Sequence, residues 1–156
     1  MGDLRSDLID TGIDRLKAGR IIIDASAATI FELLAHPRRH ADFDGSRTVR
    51  GNITGPERLA LGAKFGMSMK IKIPYRITNT VIEFEESKSI AWRHFGRHIW
   101  RYQLTPIDSK HTLVTEFFDG RPSISQWWLR RLNAYSNNQK AILKTLVRLK
   151  KLAETS

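Results

Sequence analysis

Three side chains in the later half of the chain have the types and spacing for proton chemistry: His94, Tyr102 and Glu116. Each sits in a stretch of alternating polar and apolar residues, and parity puts each on the apolar side. Over 89–95, Ile90, Trp92 and His94 share a face against Arg93. Over 99–106, Trp100, Tyr102 and Leu104 share a face against Arg101 and Gln103. Over 112–118, Val114, Glu116 and Phe118 fall together. A hairpin turning at 96–98 pairs His94 with Trp100 and Trp92 with Tyr102, keeping inward residues opposite inward residues. The same rule puts Tyr102 opposite Glu116 and Trp100 opposite Phe118. The expected inner rows are therefore Trp92, Tyr102, Glu116 and His94, Trp100, Phe118.

Directly opposed residues have Cβ atoms about 4.5–5.5 Å apart, so Tyr102 and Glu116 are expected to share a hydrogen bond. His94 lies two strands from Glu116 and reaches it only through a bound molecule. A buried glutamate resists ionising, and the raised pKa suits a general acid or base. A histidine beside a cavity can relay a proton for enolisation or dehydration. The competing reading is structural: an acid satisfied by Tyr102 or an arginine, and a packed histidine.

The apolar residues around these three read as walls. Phe43, Phe65, Met67, Met69, Phe84, Trp92 and Trp100 are the candidates to line a cavity for a small apolar molecule. Aromatic rings stack on flat ligands and methionine adapts to variable ones. Other chemistries lack their residues. There are no cysteines, so thiolate catalysis, disulfides and thiolate metal sites are excluded. His36 and His40 are interrupted by Pro37, and His94 and His98 flank a turn, so no metal site is expected. No phosphate-binding glycine loop and no nucleophile elbow is present, and no cofactor is expected.

The elements that position these residues follow from pattern. Residues 1–14 read as a frayed arm or short helix, and 15–156 as one domain. A strand is expected over 16–24, then a helix capped by Ser26 that carries Ile30, Phe31, Leu33 and Leu34 and ends before Pro37. A second short helix is expected over 37–42 and a second strand over 45–54. Phe65, Met67, Met69 and Ile71 alternate with small or polar residues, and Ile82 and Phe84 oppose Glu83 and Glu85. After Pro122, the run Ser123 to Gln126 has the capping-box spacing. A helix over 124–153 follows, with an apolar stripe of Ile142, Leu146, Leu149 and Ala153. A single such stripe needs a concave apolar sheet to cover it.

The formal net charge is +10 and it is unevenly placed. Residues 126–156 hold seven basic side chains and one acidic, which reads as a solvated outer helix face. Weak, salt-sensitive binding to DNA without sequence preference is expected, and no specific nucleic-acid partner. The acidic start of the chain lacks a signal-peptide layout and no apolar run approaches a membrane span, so a cytoplasmic location is expected. The sequence leaves the oligomeric state open, a homodimer included.

The order of elements resembles the helix-grip fold of the START and pollen-allergen-like superfamily, in its polyketide cyclase/dehydrase and lipid-transport branch. The residues that carry the resemblance are IDASAATIFELLAHPRRHADFDGS (22–46), LGAKFGMSMKI (61–71), VIEFEESKSIAWR (81–93), WRYQLTP (100–106) and TLVTEFFD (112–119). The resemblance implies an α+β fold: a seven-stranded antiparallel sheet wrapped around a long C-terminal helix, two short helices after the first strand, and a cavity between sheet and helix. The branch often has Trp where Phe43 stands, which implies a different pocket entrance here. It has no shared catalytic set. Three readings follow: binding or transport of a small hydrophobic, lipid- or polyketide-like ligand; a cyclase or dehydratase working through His94, Tyr102 and Glu116; and an interaction module using the basic terminal helix.

Overall fold

Alternating parity and helical spacing separate cleanly in the computed structural model, which describes residues 5–45, 53–70 and 74–155, and all of their side chains except those of 69, 70 and 74. Seven strands form one antiparallel sheet: β1 (Asp7–Ile9), β2 (Leu16–Ile23), β3 (Lys64–Lys70), β4 (Pro74–Glu85), β5 (Ser89–Arg93), β6 (Ile99–Pro106) and β7 (Thr112–Asp119). Their spatial order is β1-β2-β7-β6-β5-β4-β3. Between β2 and β3 lie α1 (Ala27–Ala35), a 3-10 turn (Pro37–Arg39) and α2 (His40–Phe43). The chain ends with α3 (Gln126–Arg131) and α4 (Ala134–Glu154).

The inner face of the sheet is paved by one parity of each strand: Ile21 and Ile23, Phe65 and Met67, Ile90 and Trp92, Tyr102 and Leu104, Val114 and Phe118. Helix α4 covers this face with Ile142, Leu146, Leu149 and Ala153, the stripe read from the sequence. Gly19 lets it come close. A Cβ at that position would stand 2.7 Å from Ile142 Cγ2. At the start of α1, the Ser26 hydroxyl accepts the Thr29 N–H at 3.2 Å, as expected of a cap.

Four local expectations are corrected. Residues 7–9 are not part of a frayed arm or helix. They pair with β2, Asp7 opposite Arg20, and satisfy the edge of the sheet. In β4 a bulge between Val81 and Glu83 moves the inward position from Ile82 to Val81, while Phe84 stays inward opposite Ile90. An extra residue in one strand shifts parity for everything before it. The terminal helix is broken into α3 and α4 at Asn133, which adopts the left-handed conformation at φ 54°. Asparagine tolerates that region better than most residues, so the chain can break here without a glycine. Finally, the capping box does not form at Ser123: its hydroxyl accepts the Ser125 N–H, and Gln126 donates to the Gly120 carbonyl. Of the strand expected over 45–54, residues 46–52 lie outside the described residues, and Thr54 forms an isolated bridge to Gly66.

Candidate functional site

Strand register decides which polar groups meet. Tyr102 stands opposite Glu116, and Trp100 opposite Phe118, as parity requires. The β5–β6 register differs from expectation by two residues. Trp92 pairs with Trp100, and Ile90 with Tyr102. The hairpin loop runs from His94 to His98, longer than the three residues assumed, and a longer loop slides the register by whole steps of two without changing faces. The inner row is therefore Ile90, Tyr102, Glu116, Gly19, and its neighbour is Trp92, Trp100, Phe118, Lys17.

Glu116 is 2% exposed. Its Oε1 accepts the Tyr102 hydroxyl proton at 2.8 Å. Its Oε2 has no partner among the described residues. Burial pushes the Glu116 carboxyl well above the usual carboxylate range; the Tyr102 hydrogen bond works against this, and the negative charge of Asp44 adds to it. Burial likewise pushes the Tyr102 phenol up, reinforced by the Glu116 charge. With Oε1 accepting from Tyr102, a proton retained by the carboxyl would sit on Oε2, which has no partner among the described residues.

His94 does not join this pair. It sits in the β5–β6 loop, where its Nε2 lies 2.8 Å from His98 Nε2 and its Nδ1 accepts the Gly96 N–H at 3.0 Å. Those bonds assign the proton to Nε2 of His94 and to Nδ1 of His98. Burial pulls His94 below its ordinary value, and burial together with the neighbouring imidazole pulls His98 down to about 4. The His94 of the expected inner row is replaced by paired imidazoles at the tip of the hairpin.

The aromatic walls are packed against one another. His40 stacks on Trp92 at 4.9 Å and 20°, Phe65 meets Trp92 edge-on at 5.5 Å, and Trp92 leans on Tyr102 at 5.7 Å. Trp100 contacts Phe118 at 5.0 Å. Phe43, Phe65, Met67 and Trp92 are buried, and Phe84 and Trp100 are half-buried against the same core. The Met69 side chain lies outside the described residues.

His40 is a member of this cluster that strand parity alone missed. It is buried, its Nε2–H donates to the Leu34 carbonyl at 2.8 Å, and burial pulls its pKa down to about 4. The available signal was its position at the start of the second short helix, three residues before Phe43. Among the described residues no group of three potential ligands assembles a metal site. An open depression of about 520 Å³ lies elsewhere, between β1, the 10–14 loop and Gln139, and includes none of Tyr102, Glu116 or His94.

No family model matches the sequence. Among curated proteins, the uncharacterized protein Rv0088 of Mycobacterium tuberculosis is 39% identical over 120 residues, which are 76% of this chain and 53% of the relative. A second M. tuberculosis protein, MT0096, is 38% identical over the same shares. The chain thus spans about half the length of the curated relatives it matches. Among solved structures, an Arthrobacter aurescens protein superposes with a TM-score of 0.70 at 12% identity, covering 93% of this chain and 91% of that one. A Rhodobacter sphaeroides protein gives 0.70 at 14%, covering 97% and 99%. The polyketide-cyclase-like protein Cgl2372 of Corynebacterium glutamicum gives 0.61 at 17%, covering 90% and 91%. With its element order and sheet topology, the chain has a helix-grip fold, which it shares with these neighbours.

Proposed function

We propose that the protein binds a small, mainly apolar molecule between the sheet and α4, and that Glu116 donates a hydrogen bond to an oxygen of that molecule. The observation that carries this reading is the unpartnered Glu116 Oε2, buried on the inner face beside Tyr102. A native fold rarely leaves such an atom unsatisfied, because the lost hydrogen bond costs about 1–3 kcal/mol. A ligand carbonyl or hydroxyl restores it. The flanking rings of Trp92, Trp100 and Phe118 suit a flat or fused-ring body. The polyketide-cyclase-like fold neighbour supports this direction, as does the inward parity of Phe65, Met67, Phe84, Trp92 and Trp100.

The test is a fluorescence titration of tryptophan with a fused-ring aromatic ketone, backed by native mass spectrometry of freshly purified protein. Saturable one-to-one binding is expected. Glu116→Leu removes the donor and is expected to weaken binding roughly tenfold, while Glu116→Gln keeps an N–H donor and stays within about threefold. Unchanged affinity in Glu116→Leu, or no saturable binding at all, overturns the proposal.

A second reading is favoured by the same buried acid. A carboxyl whose pKa is raised by burial beside Tyr102 is equipped to protonate a substrate carbonyl, the step that opens an enolisation or dehydration. In that case Glu116→Gln abolishes turnover and leaves affinity intact, whereas a pure binding protein has no turnover to lose. His94 enters neither version as a direct partner of Glu116, because it is bonded to His98.

A further inference from the structure

The end of the molecule where the β5–β6 loop meets α3 carries an apolar face that folding does not need. Phe95 is 80% exposed, Trp127 62% and Trp128 56%. Ile124 and Leu132 are exposed beside them. They form one surface. The Ile124 N–H donates to the Gly96 carbonyl across the two segments, the Trp127 and Trp128 rings meet edge-on at 4.7 Å, and the Leu132 N–H donates to the Trp128 carbonyl. The surface is also held firmly. Gln126 donates to the Gly120 carbonyl and accepts the Tyr135 hydroxyl at 2.7 Å, and Leu129 packs on the core.

The charge left over around this face is basic. Residues 93–101 and 120–133 hold six arginines and no acidic residue. Arg101 and Arg121 are neutralised by Glu83 and Asp119. Arg97, Arg130 and Arg131 are exposed and make no ion pair among the described residues. The Arg131 guanidinium lies 5.8 Å from the centre of the Trp127 ring.

We propose that this face docks on an anionic lipid bilayer, with Phe95, Ile124, Trp127, Trp128 and Leu132 entering the interface and Arg97, Arg130 and Arg131 meeting lipid phosphates. Tryptophan and aliphatic side chains ringed by arginine match the headgroup boundary, where an apolar body is buried and a cation is paired. The other occupants fit less well. Single-stranded nucleic acid uses stacked rings and cations but gives no role to Ile124 and Leu132. A second copy would bring arginine against arginine. A loop tip and a six-residue helix offer far fewer than the roughly 20–30 residues a side of a stable protein interface.

The experiment is sedimentation of the full chain, with no apolar ligand added, with vesicles of phosphatidylcholine and with vesicles of phosphatidylcholine mixed with phosphatidylglycerol. Binding is expected to the mixed vesicles, to fall as salt rises, and to shift tryptophan emission to the blue. Trp127→Ala with Trp128→Ala, and separately Arg130→Glu with Arg131→Glu, are expected to weaken it roughly tenfold or more. All four positions are exposed, so circular dichroism should be unchanged. Equal binding to both vesicle types, or binding unaltered in both double variants, overturns the proposal. So does tighter binding of a single-stranded oligonucleotide than of vesicles at physiological salt, or a dimer that dissociates on loss of the tryptophans. Because no interior ligand is added, failure here is separate from failure of the ligand reading.

Discussion

Removing the Tyr102 hydroxyl tests the buried pair most directly. In Tyr102→Phe the ring stays and Glu116 Oε1 loses its donor, so both carboxyl oxygens become unpartnered in a site 2% exposed. An orphaned buried acceptor costs about 1–3 kcal/mol. In a domain of this size each kcal/mol lowers Tm by roughly 2–4 °C, so a fall of roughly 2–12 °C is expected at neutral pH. The pH dependence sharpens the test. Glu116 has a folded pKa raised by burial, so the unfolded chain releases a proton that the folded chain keeps. Native stability therefore falls as pH rises from the ordinary carboxylate value toward the folded one, and levels off above it. The Tyr102 bond is the one contribution that lowers the Glu116 pKa. Its loss should extend the falling window to higher pH, and Glu116→Gln should flatten it. The assay is thermal denaturation of wild type, both single variants and the double variant over a pH series, with the coupling energy read from the cycle. No change in Tm for Tyr102→Phe refutes the reasoning, as does a falling window that ends at lower pH in that variant.

Three further outcomes are expected. Lys150→Ala should cost about 2–4 kcal/mol by chemical denaturation, because its ammonium is fully buried, donates to the Ile22 carbonyl at 3.0 Å and pairs with Glu154, whereas exposed Lys151→Ala should stay within about 0.5 kcal/mol. Ser26→Ala should cost about 1 kcal/mol by the same measurement, through loss of the cap on the Thr29 N–H. Wild-type stability should drop as pH falls from the ordinary histidine value of 6.5 toward about 4, since His40 and His98 are held neutral in the fold and take up protons on unfolding; each contributes up to about 3 kcal/mol, and His98→Asn should remove part of the drop.

Parity in sequence was enough to place Tyr102 opposite Glu116 and to put Trp92, Trp100 and Phe118 on the inner face, because a strand has a period of two whatever its neighbours do. The Ile142 to Ala153 stripe and the Ser26 cap were equally local, each written in spacing of a few residues. Four things were decided by tertiary structure. The length of the His94 to His98 loop set the β5–β6 register, so His94 left the row it was expected to share and bonded to His98. A bulge at residue 82 changed which β4 side chain faces inward, and a bulge has no fixed sequence mark. Lys150 reads in the sequence as one more charge on a solvated helix, yet α4 lies on β2 such that its ammonium reaches the Ile22 carbonyl 128 residues away. His40 became a core residue for the same reason: only the docking of α2 against β5 puts its ring on Trp92. Periodicity reports which face a residue occupies, while the partner it meets there depends on loop lengths and helix placement that no short window of sequence contains.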